Sequence, residues 1–583
     1  MLKLLKKLKP IEWLFAAFGV VFIVTQVYLD LKMPEFMNKI TQIAQGAGGT
    51  MSDIWINGVY MLLCALGSMA CSVVTSLFFV RIASDFSARL RESLYCKVQS
   101  FSMAEINKFS TPSLITRSTN DVQQLQMFLV MGLQMLIKAP ITAVWAIIKI
   151  AGKQWQWSAA VAVAVAVLLV SIIIIMLLVT KKFRKMQTLT DRLNQVTREN
   201  LTGIRVIRAY NAEGYQQNKF ETVNEEFTKT NLFTGKTMAF LSPIMSGIMN
   251  GISLAIYWIG AVVINAAALT EVAGLFADMV VFMSYGMQII MSFMMLTMMF
   301  MVAPRALVSA KRINEVLDTQ TSIADGAGVG ATELKGNVEF KNVSFRYPDA
   351  DEYVLTDINF TAEKGQTIAL IGATGCGKST VVNLVSRFYD ATDGEIFVNG
   401  HNVKEYKKEE LAKKIGYVSQ KAVLFSGDIR SNIDFGDNEA DDQTVENAVR
   451  VSQSADFVER QQEGIMAHVA QNGTNFSGGQ KQRLSIARAL ARGAEIYIFD
   501  DTFSALDYKT DKLLRSKIKE QMQDATILIV AQRIGTIKDA DQILVFEDGK
   551  IVGRGKHNEL LENCSVYQEI ARSQLSEEEL KNA

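Results

Sequence analysis

The sequence predicts a membrane-embedded, all-α half with six spanning helices, followed by an α/β domain built around a phosphate-binding loop. Three observations carry that expectation. Apolar runs of the ~20 residues a helix needs to cross a bilayer crowd the first half of the chain and stop near Arg305. Beyond them, short β-rich runs such as "NVEFKNVSFRY", "TIALIGA" and "DQILVFEDGK" alternate with helical stretches. Inside that region "GATGCGKS" (Gly372–Ser379) fits G-x-x-x-x-G-K-[ST], with a strand before it and a helix after it, as the motif requires.

At 583 residues the chain is too long for one core. Its net charge of +1 gives no reason to expect nucleic acid as a partner. The cysteines, Cys64, Cys71, Cys96, Cys376 and Cys564, are scattered and never paired as CxxC. That argues against a disulfide framework or a zinc site and suits a reducing cytosol. The N-terminal "MLKLLKKLKP" reads as a basic helix at a membrane surface rather than a cleaved signal.

The candidate spans lie near 12–30, 55–80, 127–150, 157–180, 237–266 and 275–303. "VAVAVAVLLVSIIIIMLLV" is the least ambiguous of them. Lysine and arginine cluster between Lys181 and Lys236 and between Arg81 and Arg117, whereas "NAAALTEVAGLFAD" has no basic residue. The two basic loops and both termini are therefore expected on the cytosolic side. Those loops keep helical spacing and should continue the spans outward as rods, with Trp155 and Trp157 at the far interface. The implied division is a membrane domain over 1–318, a linker over 319–335, a nucleotide-binding domain over 336–575 and a polar tail over 576–583.

The chemistry of the second half follows from three anion- or metal-binding motifs. In the first, Gly372, Ala373, Thr374, Gly375, Cys376 and Gly377 offer backbone N–H groups to phosphate oxygens, Lys378 adds a point charge, and the Ser379 hydroxyl is a magnesium ligand. In "YIFDD" an apolar strand delivers Asp500 as a magnesium carboxylate. In "NFSGGQKQR", Ser477, Gly478, Gly479 and Gln480 open a second helix with anion-binding character. Two such termini in one domain point to a nucleotide held by another subunit.

Gly372–Thr380, Gln420, Ser477–Gln480, Asp500 and Ser504–Asp507, in this order behind six spans, resemble an ATP-binding-cassette (ABC) exporter half-transporter. The resemblance covers essentially the whole chain and includes "TRSTNDV" and "TRENLTGIRVIRAYNAE" in the cytosolic loops. It implies the type I ABC exporter fold, ATP with Mg2+, and cassettes paired head to tail, so that each ATP lies between one chain's P-loop and the other's signature. It further implies that Tyr347 stacks on adenine, that Thr380 belongs to the nucleotide cradle, and that Gln420 touches magnesium. Asp507 would face the partner, and closure would pass to the helices near Thr111–Ser113 and Tyr210–Glu213.

The chain departs from that pattern at two catalytic positions. Asp501 stands where the family has a glutamate base, and Gln532 where it has a switch histidine. A misplacement of about 1 Å can cost ~100-fold in rate, and glutamine cannot exchange a proton near neutral pH. The signature stays intact apart from Phe476 in the place of a leucine, and Gln471 replaces another common glutamate. The resemblance then implies a heterodimer. This chain would hold ATP in a degenerate site and lend Ser477–Gln480 to a second half-transporter carrying the consensus glutamate and histidine. The cargo would be small hydrophobic or amphipathic compounds, leaving through a bacterial cell membrane. A homodimeric exporter using Asp501, a lipid or peptide exporter, and a nucleotide-sensing regulatory subunit are the rival readings.

Two features of the spans bear on cargo. Met279, Met283, Met287, Met291, Met294, Met298 and Met301 recur at helical spacing. They fit either an adaptable cavity wall or a helix-packing face. Lys138, well inside the third span, is costly unless it faces water or a partner. Cys376 would make the P-loop thiol-sensitive if it were accessible.

Overall fold

The computed structural model describes residues 2–46, 49–151, 154–268, 271–330, 332–436 and 440–575. The expected polar tail at 576–583 and the side chain of Met301 lie outside them. The chain forms two compact units, one from Met1–Val98 with Pro112–Thr319, the other from Gln99–Thr111 with Gln320–Ala583.

The first unit contains six helices long and apolar enough to cross a membrane. In chain order the elements are α1 (Pro10–Ala44), α2 (Met51–Gln99), the short α3 (Met103–Phe109), α4 (Thr111–Ile150), α5 (Trp155–Thr202), α6 (Glu213–Asn265) and α7 (Val272–Asp318); α3 packs in the second unit. Each of the other six covers one predicted span to within a residue and runs past it at one end or both. On α5, Val163, Ile173 and Leu177 stay exposed, as lipid-facing residues must in a helix whose backbone bonds are all internal.

Buried polar contacts fix how these helices meet. Arg89 of α2 reaches both oxygens of Glu12 on α1, at 2.7 and 2.6 Å, and Glu12 is buried. Removing one partner of such a pair costs ~3–5 kcal/mol. The Tyr285 hydroxyl of α7 donates to the Leu31 carbonyl of α1 at 2.9 Å. Gly260 lets α6 close on α7, since a Cβ there would lie 2.4 Å from Met279 Sδ. A π-helical turn over Phe128–Gly132 interrupts α4, the insertion that most often marks a functional segment.

The methionines of α7 do not share one environment. Met279 is buried, Met283 and Met294 pack on the core around Phe282, Tyr285 and Ile289, and Met291 and Met298 are exposed. Steps of four residues overshoot a 3.6-residue turn by about 40°. Three such steps carry the stripe about a third of the way round the helix, so part of it faces the packed interior and part does not.

In the second unit, six strands form one sheet in the order Lys550–Gly555, Gln542–Glu547, Thr367–Gly372, Thr526–Val530, Ile496–Asp500 and Ile415–Val418. All neighbours are parallel except the first pair. Ile496–Asp500 is buried along its whole length, the near-continuous apolar run expected of a parallel strand covered on both faces. Val530 pairs with Leu370 on one side and Asp500 on the other. Phe499 pairs with Val418. The carboxyl ends of four strands therefore finish side by side, the place where open α/β sheets bind ligands. A separate antiparallel sheet joins Leu355–Ala362, Val338–Phe345, Asp393–Val398 and His401–Asn402.

Candidate functional site: a nucleotide cradle at the sheet's carboxyl edge

The P-loop leaves its strand at Gly372 and enters a helix at Lys378. Gly377 holds the left-handed φ of +97° that starts the helix, and a Cβ there would come within 2.6 Å of Leu355. Only glycine meets both conditions. Lys378 is buried and its ammonium donates to the Gly372 and Ala373 carbonyls at 2.8 and 2.7 Å. It also contacts Cys376 Sγ at 3.5 Å. Cys376 is buried, so its thiol is not openly accessible.

Ser379 Oγ donates to Asp500 Oδ1 at 2.7 Å, and the Tyr417 hydroxyl to Asp500 Oδ2 at 3.4 Å. Asp500 is buried, and among the described residues no lysine or arginine forms a salt bridge with it. Burial is the main reason its carboxyl is pushed above the ordinary aspartate range, with the Ser379 and Tyr417 hydrogen bonds opposing. A buried carboxylate held only by hydroxyls, next to a serine oxygen, fits a divalent cation. Among the described residues no three His, Cys, Asp or Glu side chains form an all-protein metal cage. Magnesium held here would be completed by phosphate oxygens and water.

That raised carboxyl sets a pH dependence. Protonation competes with the cation, so magnesium-dependent ATP binding should weaken as pH falls through the raised value. In Asp500→Asn the acid-side loss should disappear and affinity should be low throughout. Binding of a fluorescent ATP analogue, titrated with Mg2+ at several pH values, checks this.

Asp501 occupies the left-handed region at φ +46° and is buried. Aspartate tolerates that conformation better than most residues. Its Oδ2 accepts from Gln532 Nε2 at 2.8 Å and from Gln420 Nε2 at 3.1 Å. Gln420 thus contacts Asp501, on the strand end next to Asp500. Gln574 fixes the next turn, donating to the Gln532 carbonyl at 2.8 Å and accepting from the Ile534 N–H at 2.9 Å.

Tyr347 stands edge-on to Phe345 and Tyr389, with centroids 4.9 and 5.2 Å away. Its hydroxyl lies 3.1 Å from Thr380 Oγ1 at the start of the P-loop helix, so the two residues are joined at one side of the cradle. Tyr389 in turn accepts a hydrogen bond from Asn107 of α3 at 3.0 Å.

The signature is a capped helix start. The Ser477 hydroxyl accepts from the Gln480 N–H at 3.3 Å, and Gln480 Oε1 accepts from the Ser477 N–H at 2.8 Å. This reciprocal pair is a capping box. Gly478 has open space where a Cβ would stand, and Gly479 packs beside the Ala505 carbonyl. Gln482, one turn on, donates to the Ser419 carbonyl at 3.2 Å and so ties this helix to the Gln420 loop. Asp507 caps the helix Tyr508–Gln521 by accepting from the Thr510 N–H at 3.0 Å. That hydrogen bond holds its carboxyl below the usual range.

The structure therefore gathers Lys378, Ser379, Gln420, Asp500, Asp501 and Gln532 along one edge. It does not bring Ser477–Gln480 into hydrogen-bonding contact with the Lys378–Ser379 loop among the described residues. Sequence reasoning missed Tyr417 and Gln574, which belong to no motif, and gave no role to Gln482, although it lies within "NFSGGQKQR".

A P-loop sheet of this kind behind six apolar helices defines a membrane protein with a nucleoside-triphosphatase domain. Residues 16–293 match the family "ABC transporter transmembrane region" and residues 355–504 the family "ABC transporter". An uncharacterized ABC transporter ATP-binding protein of Mycobacterium tuberculosis is 37% identical over 550 residues, spanning 94% of this chain and 93% of its own. A Bacillus subtilis protein of the same description is 33% identical, over 99% of both chains. The ATP-dependent lipid A-core flippase of Pseudomonas aeruginosa is 30% identical, over 87% of this chain and 83% of its own. A bacterial Atm1-family ABC exporter solved with ATP bound shares the fold with a TM-score of 0.79 at 23% identity, over 97% of this chain and 98% of that one. The chain belongs to the ABC transporter family and has the architecture of an exporter half-transporter.

Proposed function

We propose that this chain is one half of a heterodimeric exporter of hydrophobic or amphipathic compounds, with its ATPase unit and both termini in the cytosol. Its own ATP site binds tightly and hydrolyses slowly, and its signature serves the partner's site. The observation that carries the reading is the pair of amides on Asp501: Gln420 and Gln532 both donate to the same carboxylate oxygen. A base has to hold the attacking water within hydrogen-bond reach. Here a short carboxylate is instead engaged by two neighbours, neither of which can relay a proton.

Binding remains well provided for. The P-loop amides and Lys378 would take the phosphates, Tyr347 the base, and Ser379 with Asp500 the magnesium, which neutralises phosphate charge when bound. Gln420 adjoins Asp501 and is tied through Ser419 to the signature helix, so it is placed to report occupancy. Signature residues kept intact on a chain with an impaired base make sense when a different subunit uses them.

The test is ATPase activity of the purified full-length chain in lipid nanodiscs. Turnover should be slow and nearly unchanged in Asp501→Ala, while ATP still binds with Lys378-dependent affinity. Brisk turnover abolished by Asp501→Ala would sink the heterodimer and establish a homodimeric enzyme.

A further inference from the structure

A cavity of about 190 Å³ opens among α1, α2, α4 and α7, lined in part by Gln26, Ser72, Thr75, Gln134 and Lys138. At about 30 Å³ per water it has room for about six waters' worth of ligand. So polar a lining is unusual within helices otherwise apolar enough to span a bilayer.

Two observations show that the lining is incomplete by itself. Thr75 is 2% exposed, and its hydroxyl has no hydrogen-bond partner. Lys138 forms a long salt bridge with Asp30 Oδ2 at 3.6 Å, while Ser68 donates to the other oxygen of Asp30. The carboxylate is thus partly satisfied by a hydroxyl, and the ammonium keeps donors for something else. Gln26 is buried beside it at 8% exposure. Gln134 donates weakly to Ser76 at 3.3 Å, which uses one of its two amide N–H donors. The cavity therefore presents one cation, amide groups and an unpaired hydroxyl, framed by apolar helix.

We propose that this cavity is a recognition subsite for the oxyanion head group, carboxylate or phosphate, of an amphiphile. Lys138 supplies the counter-charge, and Thr75, Gln26 and Gln134 supply hydrogen bonds. The assignment rests on the reading of the chain as an exporter of amphipathic compounds and narrows its cargo to those carrying an anionic group. Asp30 holds Lys138 in place while the subsite is empty.

Equilibrium binding to the full-length chain in nanodiscs of zwitterionic lipid tests this, with empty discs as background. Dodecyl phosphate should bind about tenfold more tightly than dodecyl maltoside, the margin of one charge-assisted hydrogen bond. Lys138→Met should erase that margin and Lys138→Arg should keep most of it. Thr75→Val should reduce it severalfold. Equal binding of the two amphiphiles by the unaltered chain overturns the proposal without recourse to any variant. So does an undiminished preference in a folded Lys138→Met, judged by retained ATP binding. Inorganic phosphate that displaces dodecyl phosphate at similar concentration overturns the amphiphile assignment. The measurement uses no ATP hydrolysis, so its outcome is independent of whether the Asp501 site proves degenerate.

Discussion

Asp501→Glu combined with Gln532→His raises ATP turnover of the isolated chain roughly tenfold over the unaltered protein. In a head-to-tail pair of two identical chains, each site would contain a complete P-loop and an intact signature. On the proposed reading, what such a site lacks is a base at the right reach and a donor that can exchange a proton. Placing the carboxylate correctly is worth ~100-fold, or about 2.7 kcal/mol of barrier. Against that stands the left-handed backbone at residue 501, where a glutamate costs about 1 kcal/mol more than the aspartate that suits it. The balance favours faster turnover, by about one decade. Steady-state phosphate release in nanodiscs measures it, with each single variant as a control; the double variant should exceed both. Unchanged turnover in a variant that still binds ATP would mean that neither position limits hydrolysis.

The second large effect lies at the signature. Ser477→Asp should reduce ATPase activity of the assembled transporter about 100-fold, while Lys378→Ala leaves half or more of it. The aspartate is chosen because it is as good a helix cap as serine, so the capping role seen in the structure survives. What changes is charge: a carboxylate now stands at a helix N-terminus that would otherwise receive a phosphate. Lys378, by contrast, would serve only this chain's own site in the proposed pair. The co-purified pair, assayed for ATPase activity and cargo flux, separates the two. Equal losses in both variants would mean that the two sites contribute equally.

Much of this architecture is written locally. The six spans are legible because a bilayer demands unbroken apolar length, and the P-loop because glycines, lysine and serine at fixed offsets carry their own chemistry. The strand ending at Asp500 announces itself as a fully apolar run. What is not legible depends on residues far apart in sequence. The resemblance gave no hint that Gln420 would donate to Asp501, 81 residues away. Tyr417 and Gln574 reach the site from a neighbouring strand and from the last described helix, with no motif to flag either. The methionine stripe left two readings open, and the structure divides it between environments for a geometric reason: a repeat of four drifts around a helix of 3.6 residues per turn.

The short helix Met103–Phe109 has a practical meaning for anyone wishing to cut the protein apart. It belongs by sequence to the membrane half, yet it packs with the ATPase unit. Its Asn107 bonds Tyr389, Glu105 accepts from the Ser322 N–H at 3.0 Å, and Ala104 packs on the apolar core that contains Tyr389. A soluble fragment beginning near residue 320 would keep every nucleotide-binding motif but leave that docking face bare, next to the aromatic pair that includes Tyr347. The place where the polypeptide can be severed and the place where the folded mass divides are different. A severed fragment would therefore be a poor stand-in for the ATPase unit of the intact chain.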